Sequence, residues 1–359
     1  MFQDTFHTKR ILLTGHTGFK GGWLAEWLLE MGAEVHGFAL DPQPHEVLFD
    51  QLKLGPRLAS DTRADLADRR TLERLVDRVR PHYVFHLAAQ PLVRLSYDTP
   101  VDTFATNVLG TVHLLEAVRL AGRSCIVVCI TTDKCYENRE WLHGYREEDP
   151  MGGHDPYSAS KGAAELAISS YRRSFFSSGP CAVRLASARA GNVIGGGDWA
   201  PNRIVPDCIR ALQAGRSIPV RNKIATRPWQ HVLEPLSGYL TLAAALSSAT
   251  PDQASGLASG FNFGPGLASN RSVADLVGEM LKSWPGAWED CSDPAAPHEA
   301  SRLNLAIDKA HHMLGWSPRW TFEETVQHTV EWYRRAATGE SAHDLTLAQI
   351  REYRSKPTP

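Results

Sequence analysis

A short apolar run, Ile11-Leu12-Leu13, leads into Thr14-Gly15-His16-Thr17-Gly18-Phe19-Lys20-Gly21-Gly22 and then into the helical pattern Trp23-Leu24-Ala25-Glu26-Trp27-Leu28-Leu29. Strand, glycine turn and helix in that order commit the chain to a βα unit, with a helix N-terminus at the carboxyl end of a strand. Gly15 permits the tight turn, Gly18 lets backbone approach a pyrophosphate, and Gly21 lets the helix close on the strand. Thr17 and Phe19 complete the turn as candidate cofactor contacts. The spacing is GxxGxxG, and no Ser or Thr follows a Gly-Lys pair, so the turn suits a dinucleotide and not a nucleoside triphosphate.

A second strand, Glu34 to Leu40, ends at Asp41, about twenty residues past the glycine turn, where an acid binds adenosine ribose hydroxyls. An acid there repels a 2′-phosphate and favours NAD over NADP; Asp41-Pro42 read alone is only a turn. The next strand end, Thr62-Arg63-Ala64-Asp65-Leu66, brings Asp65 and Leu66 toward the adenine. A fourth strand, Pro81 to Gln90, runs into Ala88-Ala89, small enough for backbone to pass close to a ligand. Asn107 begins or interrupts a long helix toward Leu120, its amide either bound internally or serving the site. This alternation through residue 190 predicts an α/β fold, a Rossmann-type doubly wound parallel sheet with right-handed crossovers.

The buried run Cys125-Ile126-Val127-Val128-Cys129-Ile130 delivers Thr131-Thr132-Asp133-Lys134 to the carboxyl edge of that sheet, where open α/β folds bind ligands. Tyr157 and Lys161 lie four apart in a helix-compatible stretch and so share a face. A cation beside the phenol favours phenolate, which makes a general base of a tyrosine. A lone pair at this spacing is commonplace on helix surfaces; the cofactor turn upstream gives it meaning here.

Composition excludes several classes. The 359 residues carry 38 basic and 40 acidic side chains, net −2, with no block of one sign, so no nucleic-acid or anionic-membrane footprint exists. No apolar run approaches the roughly 18 residues of a membrane span, and the start lacks a signal-peptide apolar region. Six cysteines without a CxxC pair fit buried thiols in a reducing cytoplasm, and fifteen histidines without HExxH give no metal site.

With the glycine turn, Asp41, Thr132-Asp133-Lys134 and the Tyr157/Lys161 pair taken together, the chain resembles the extended short-chain dehydrogenase/reductases, and within them the nucleotide-sugar 4,6-dehydratases. The resemblance covers nearly the whole chain and is carried also by His86 to Arg94 and by Arg189-Ala190-Gly191-Asn192-Val193-Ile194-Gly195-Gly196-Gly197-Asp198-Trp199. Asp133-Lys134 is the sharpest discriminator, because dehydratases acting on dTDP-, UDP- or GDP-sugars carry Asp-Glu there. The resemblance implies NAD retained through the cycle, a CDP-hexose substrate, CDP-glucose, and a role in surface-polysaccharide sugars. It also implies a chemistry: Tyr157 deprotonates the C4 hydroxyl beside Thr132 as the hydride leaves, water is lost across C5 and C6, and the hydride returns to C6. Asp133 would be the acid for the departing hydroxyl. Lys134 would be either the C5 base or an electrostatic stabiliser of the enolate.

Substrate contacts are expected from Gln90, from Asn192 and Arg203 after the sixth strand, and from Arg221 and Arg227, whose planar forks suit a diphosphate. Asn192 and Arg203 read equally as a loop cap and a surface charge. His298, in Pro297 to Leu303, resembles the family's base-binding segment. Residues 1–190 form the expected NAD domain, to which 227–265 return; 191–226 and 266–345 form a smaller interleaved α/β sugar-nucleotide lobe, and 346–359 a mobile tail. Apolar stripes near 101–121 and 157–177 predict a homodimer through a four-helix interface. An epimerase of the same fold needs Tyr157 and Lys161 but no acid and base for water loss, and a non-catalytic NAD-binding sensor needs neither.

Overall fold

The apolar runs that alternate with helical patterns assemble as seven parallel strands: β1 Arg10–Thr14, β2 Glu34–Ala39, β3 Ser60–Arg63, β4 Tyr83–His86, β5 Cys125–Ile130, β6 Val183–Ala190 and a seventh, Gly260–Phe263. A computed structural model describes residues 2–43, 47–176, 183–292 and 303–357. The strand order runs from Gly260–Phe263 through β6, β5, β4, β1 and β2 to β3. The order therefore reverses between β1 and β4, and the crevice at their carboxyl ends is the place where such sheets bind ligands. In register, Cys129 of β5 stands opposite His86 of β4 and Ser187 of β6.

β5 is buried on both faces, as its unbroken apolar run requires. Val127 and Cys129 enter one core with Leu72, Val76, Leu114 and Ile168; Val128 and Ile130 enter the other with Trp23, Trp27, Leu236 and Tyr239. The long helix expected around Asn107 is continuous from Pro100 to Ala121 but holds a π turn at Ala105–Leu109. Asn107 bonds internally there: its amide donates to Ser160 Oγ and the Gln90 carbonyl and accepts from the Gln90 N–H.

After β6 the chain leaves the sheet and builds three short ladders, Val193–Ile194 with Gln230–His231, Thr226–Pro228 with Asn270–Ser272, and Ile218–Val220 with Trp288–Asp290. Helix Leu233–Ser248 then carries it back to Gly260–Phe263. Among the described residues no helix is long and apolar enough to cross a membrane.

The C-terminal segment corrects an expectation. Residues 346–355 belong to an ordered helix and not to a mobile tail: helix Ala342–Ser355 starts on a Ser341 cap and buries Leu345, Thr346, Gln349, Ile350 and Tyr353. Counting apolar residues alone misses this face, because Thr346 and Gln349 occupy part of it. Tyr353 donates its hydroxyl hydrogen to Glu234, whose carboxylate also accepts the backbone N–H groups of Arg319 and Trp320. These bonds pin the last helix to the returning one.

Candidate active site

The glycine turn leaves no room for side chains. Gly15 has φ +75°, and a Cβ on it would lie 2.7 Å from the Ala88 nitrogen; a Cβ on Gly21 would lie 2.0 Å from the Gly15 oxygen. Gly18 caps helix Phe19–Glu30 without a side chain, which leaves the first N–H groups of the helix available to an anion. Uncapped donors beside a cradle that a Cβ would fill are the features a dinucleotide pyrophosphate requires.

Around that turn the predicted contacts divide. Asp41 stands at the end of β2 with its carboxylate largely exposed, 4.0 Å from Arg63. The Thr17 hydroxyl donates to the Leu40 carbonyl, the Ala88 N–H donates to Thr14, and Ala89 follows it half-buried. The Asp65 carboxylate accepts the Ala67 N–H and shapes its own turn. Leu66 is buried against Gly110, where a Cβ would come within 2.8 Å of it. His16, which spacing alone did not single out, is fully buried with Nε2 2.9 Å from Asp61.

Asp155 and Pro156 fix the other half of the site. The Asp155 carboxylate accepts the Ser158 N–H, and Pro156 supplies the preset first helical turn, so helix Pro156–Tyr171 begins one residue before Tyr157. Ser96 Oγ accepts the Tyr157 N–H. Tyr157 and Lys161 are both buried. Burial pushes the phenol up to about 12, against the lowering influence of a hydrogen bond with Thr132 and of Arg203. Burial pulls the Lys161 ammonium down to about 8. In the protein alone, then, desolvation outweighs the hydrogen bond with Thr132 and the charge of Arg203.

Thr132, Asp133 and Lys134 turn off the end of β5 in a single 3₁₀ turn, Asp133–Cys135. The Thr132 hydroxyl donates to Asp133 Oδ1 at 3.0 Å and accepts the Lys134 N–H at 3.4 Å. Asp133 is 2% exposed; burial raises its carboxyl above the ordinary range, opposed by Lys134, Thr132, Lys20 and Arg227. Gly191 lies directly on it, because a Cβ there would be 2.7 Å from Asp133 Oδ2. The geometry thus holds a carboxyl group, raised by burial, beside a phenol and two lysines.

Arg203 and Arg227 belong to this group through their influence on Tyr157 and Asp133, and Arg203 is held by Asp198 at 2.8 Å. Asn192 adjoins Gly191 at the same edge. The Gln90 side-chain amide donates to Thr103 and the Leu92 carbonyl and accepts the Leu92 N–H, which braces its loop. Arg221 is turned to Asn202 and Asp207. His298 lies outside the described residues. The residue most clearly missed is Lys20, second in its helix, whose ammonium faces Asp133, Lys161 and Arg203 and is pulled by burial down to about 8. Its signal was a lysine amid glycines and apolar residues at a helix start that must be buried.

The family model for GDP-mannose 4,6-dehydratase matches residues 12–329. The chain is 46% identical to CDP-glucose 4,6-dehydratase of Salmonella typhimurium, covering 98% of this chain and 97% of that one. It is 29% identical to dTDP-glucose 4,6-dehydratase of Streptomyces antibioticus over 90% of this chain and 92% of that one. Among solved structures, dTDP-glucose 4,6-dehydratase from Streptomyces venezuelae with NAD bound superposes with a TM-score of 0.77 at 24% identity, covering 92% of this chain and 98% of that one. UDP-glucose 4-epimerase from Thermus thermophilus in complex with NAD gives 0.75 at 26% identity, covering 91% and 99%.

Proposed function

The chain belongs to the GDP-mannose 4,6-dehydratase family, and on that premise we infer that it is a hydro-lyase converting CDP-D-glucose into CDP-4-dehydro-6-deoxy-D-glucose with NAD as cofactor. One observation carries this reading: Asp133-Lys134 stands at the end of β5 beside Tyr157, in a chain nearly half identical to a CDP-glucose 4,6-dehydratase.

Gly15, Gly18 and Gly21 would hold the NAD pyrophosphate, and Asp41 the adenosine ribose. Bound NAD would supply a reversible hydride acceptor and a positive charge. That charge adds to Lys161 in favouring phenolate, which the buried phenol of the protein alone does not reach at neutral pH. Tyr157 takes the proton from the C4 hydroxyl, and Thr132 hydrogen-bonds the same oxygen. The C4 ketone then acidifies the C5 hydrogen. Lys134 handles that proton or the charge its loss creates, and Asp133, whose carboxyl burial raises above its ordinary range, donates to the departing C6 hydroxyl. Arg203, Arg227 and Asn192 line the edge where the sugar and diphosphate would lie.

A dimer completes the reading. Leu95, Tyr97, Val101, Phe104, Leu109 and Leu166 are exposed large apolar side chains on the adjoining stretches 93–121 and 156–171. Exposed apolar side chains on packed helices of that kind suit a partner surface, here a second copy packing helix on helix. The reading is tested by incubating the protein with NAD and CDP-glucose, dTDP-glucose or GDP-mannose in parallel. Loss of one water from CDP-glucose alone supports it. Turnover confined to another nucleotide sugar, or epimerisation at unchanged mass, rejects it.

A further inference from the structure

The four-residue steps that place Tyr157 and Lys161 continue once more, to Glu165, a side chain the dehydration chemistry does not use. It is 4% exposed and fully committed. One carboxylate oxygen accepts the Thr131 hydroxyl; the other accepts Ser187 Oγ and Arg189 Nη2, both at 2.8 Å. Arg189 is itself buried, and its other nitrogen, Nη1, donates to the Tyr136 hydroxyl at 2.7 Å and to the Glu147 carbonyl at 2.9 Å. Tyr136 passes its own hydrogen to Asn262 of the seventh strand. A Cβ at Gly260 would fall 2.6 Å from Arg189 Nη2, so the neighbouring strand leaves room for the guanidinium.

This arrangement ends where the chemistry begins. Thr131 immediately precedes Thr132-Asp133-Lys134, and Glu165 shares a helix face with Tyr157 and Lys161. A buried ion pair is an expensive way to fill a core that apolar residues would fill as well, so the direction in which its hydrogen bonds run is informative. Resting on the dehydratase reading, we propose that Glu165, held by Arg189, is a positioning residue: it ties the edge bearing Thr132, Asp133 and Lys134 to the helix bearing Tyr157 and Lys161, and it sets a carboxylate one helical turn from Lys161.

The charges facing Lys161 agree with this. Cys129 comes from β5, Cys135 from the turn after it and Glu165 from the same helix, while Lys20 from the glycine turn and His86 from β4 also face the ammonium. Burial pushes Cys129 up to about 12 and Cys135 well above the ordinary thiol, so both stay neutral. Burial pulls His86 down to about 3, so it too is neutral. Burial would also raise Glu165, but Arg189 and the hydrogen bonds from Arg189, Thr131 and Ser187 hold it below the usual carboxylate range. Arg172 faces Glu165 as a second cation. Among these groups Glu165 is the anion at neutral pH, and its charge opposes the desolvation of Lys161. Without it Lys161 loses its proton at lower pH, and phenolate support is lost earlier as pH rises.

The test compares kcat and KM for CDP-glucose across pH in the wild type, Glu165→Gln, the double variant Glu165→Gln with Arg189→Met, and Thr131→Val. The double variant removes both buried charges and so leaves none unpaired. We expect the alkaline limb of kcat to move about one unit toward acid in both Glu165 variants, with KM changed less than about twofold. Thr131→Val should lower kcat about tenfold and leave the limb in place, since it cuts the tie without touching the charge. A double variant with the wild-type rate and limb, or Thr131→Val with unchanged kcat, overturns the proposal and leaves the pair as packing. A wild type inactive on CDP-glucose faults the dehydratase reading instead, which keeps the two failures apart.

Discussion

Two aspartates at opposite ends of one crevice illustrate how burial divides labour. Asp41 closes β2 with its carboxylate 87% exposed, near Arg63, whereas Asp133 closes β5 at 2% exposure among Thr132, Lys134, Lys20 and Arg227. An exposed acid is suited to recognition, where any hydrogen bond it makes competes with water. A buried acid can keep a proton and give it away. Both stand at strand ends of one sheet, so the fold sets where the carboxyl groups sit and desolvation sets what they do.

That contrast can be broken at several points. The largest effect belongs to the buried end: Tyr157→Phe and Asp133→Asn should each reduce kcat by about 10²–10⁴-fold, as loss of a general acid or base does. The two differ in what stops. Deuterium exchange at C5 from solvent should vanish in Tyr157→Phe, which cannot form the ketone, and persist in Asp133→Asn, which forms it and stalls before water loss. Equal loss of exchange in both would mean that Asp133 acts earlier. Next, Gly191→Ala puts a Cβ 2.7 Å from Asp133 Oδ2 and should cost about tenfold in kcat with little change in NAD affinity. The pH profile should then show activity falling as pH rises through about 8, where Lys161 loses its proton, and not rising there. Smallest of all, Asp41→Asn should weaken NAD about two- to fivefold in equilibrium titration and leave kcat at saturating NAD unchanged. A kcat loss there would erase the distinction between the two ends.

Elements with local signatures were legible in the sequence. The glycine turn, the apolar β5 run and the helix-compatible spacing of Tyr157 and Lys161 each depend on neighbours within a few residues, and each leads to the structure described. What escaped depends on residues far apart. Leu66 packs against Gly110 of another helix. The Gln90 amide is braced by Thr103, thirteen residues on. Lys20 and Glu165 are polar residues inside the sheet edge, and only tertiary packing shows that one faces Asp133 and the other grips Thr131. The C-terminal helix was missed because its buried face mixes Leu345 and Ile350 with Thr346 and Gln349. Ile350→Ala should accordingly cost about 2–5 kcal/mol in denaturant unfolding, as a core truncation does. A loss near zero would restore the mobile tail.

The most direct measurement follows deuterium placed at C4 of CDP-glucose, with NAD present and no external reductant. Internal return of the hydride predicts a product one water lighter with the deuterium at C6, located by NMR and mass spectrometry. Deuterium retained at C4 in a sugar of unchanged mass, or a dehydrated product without deuterium at C6, would contradict the account.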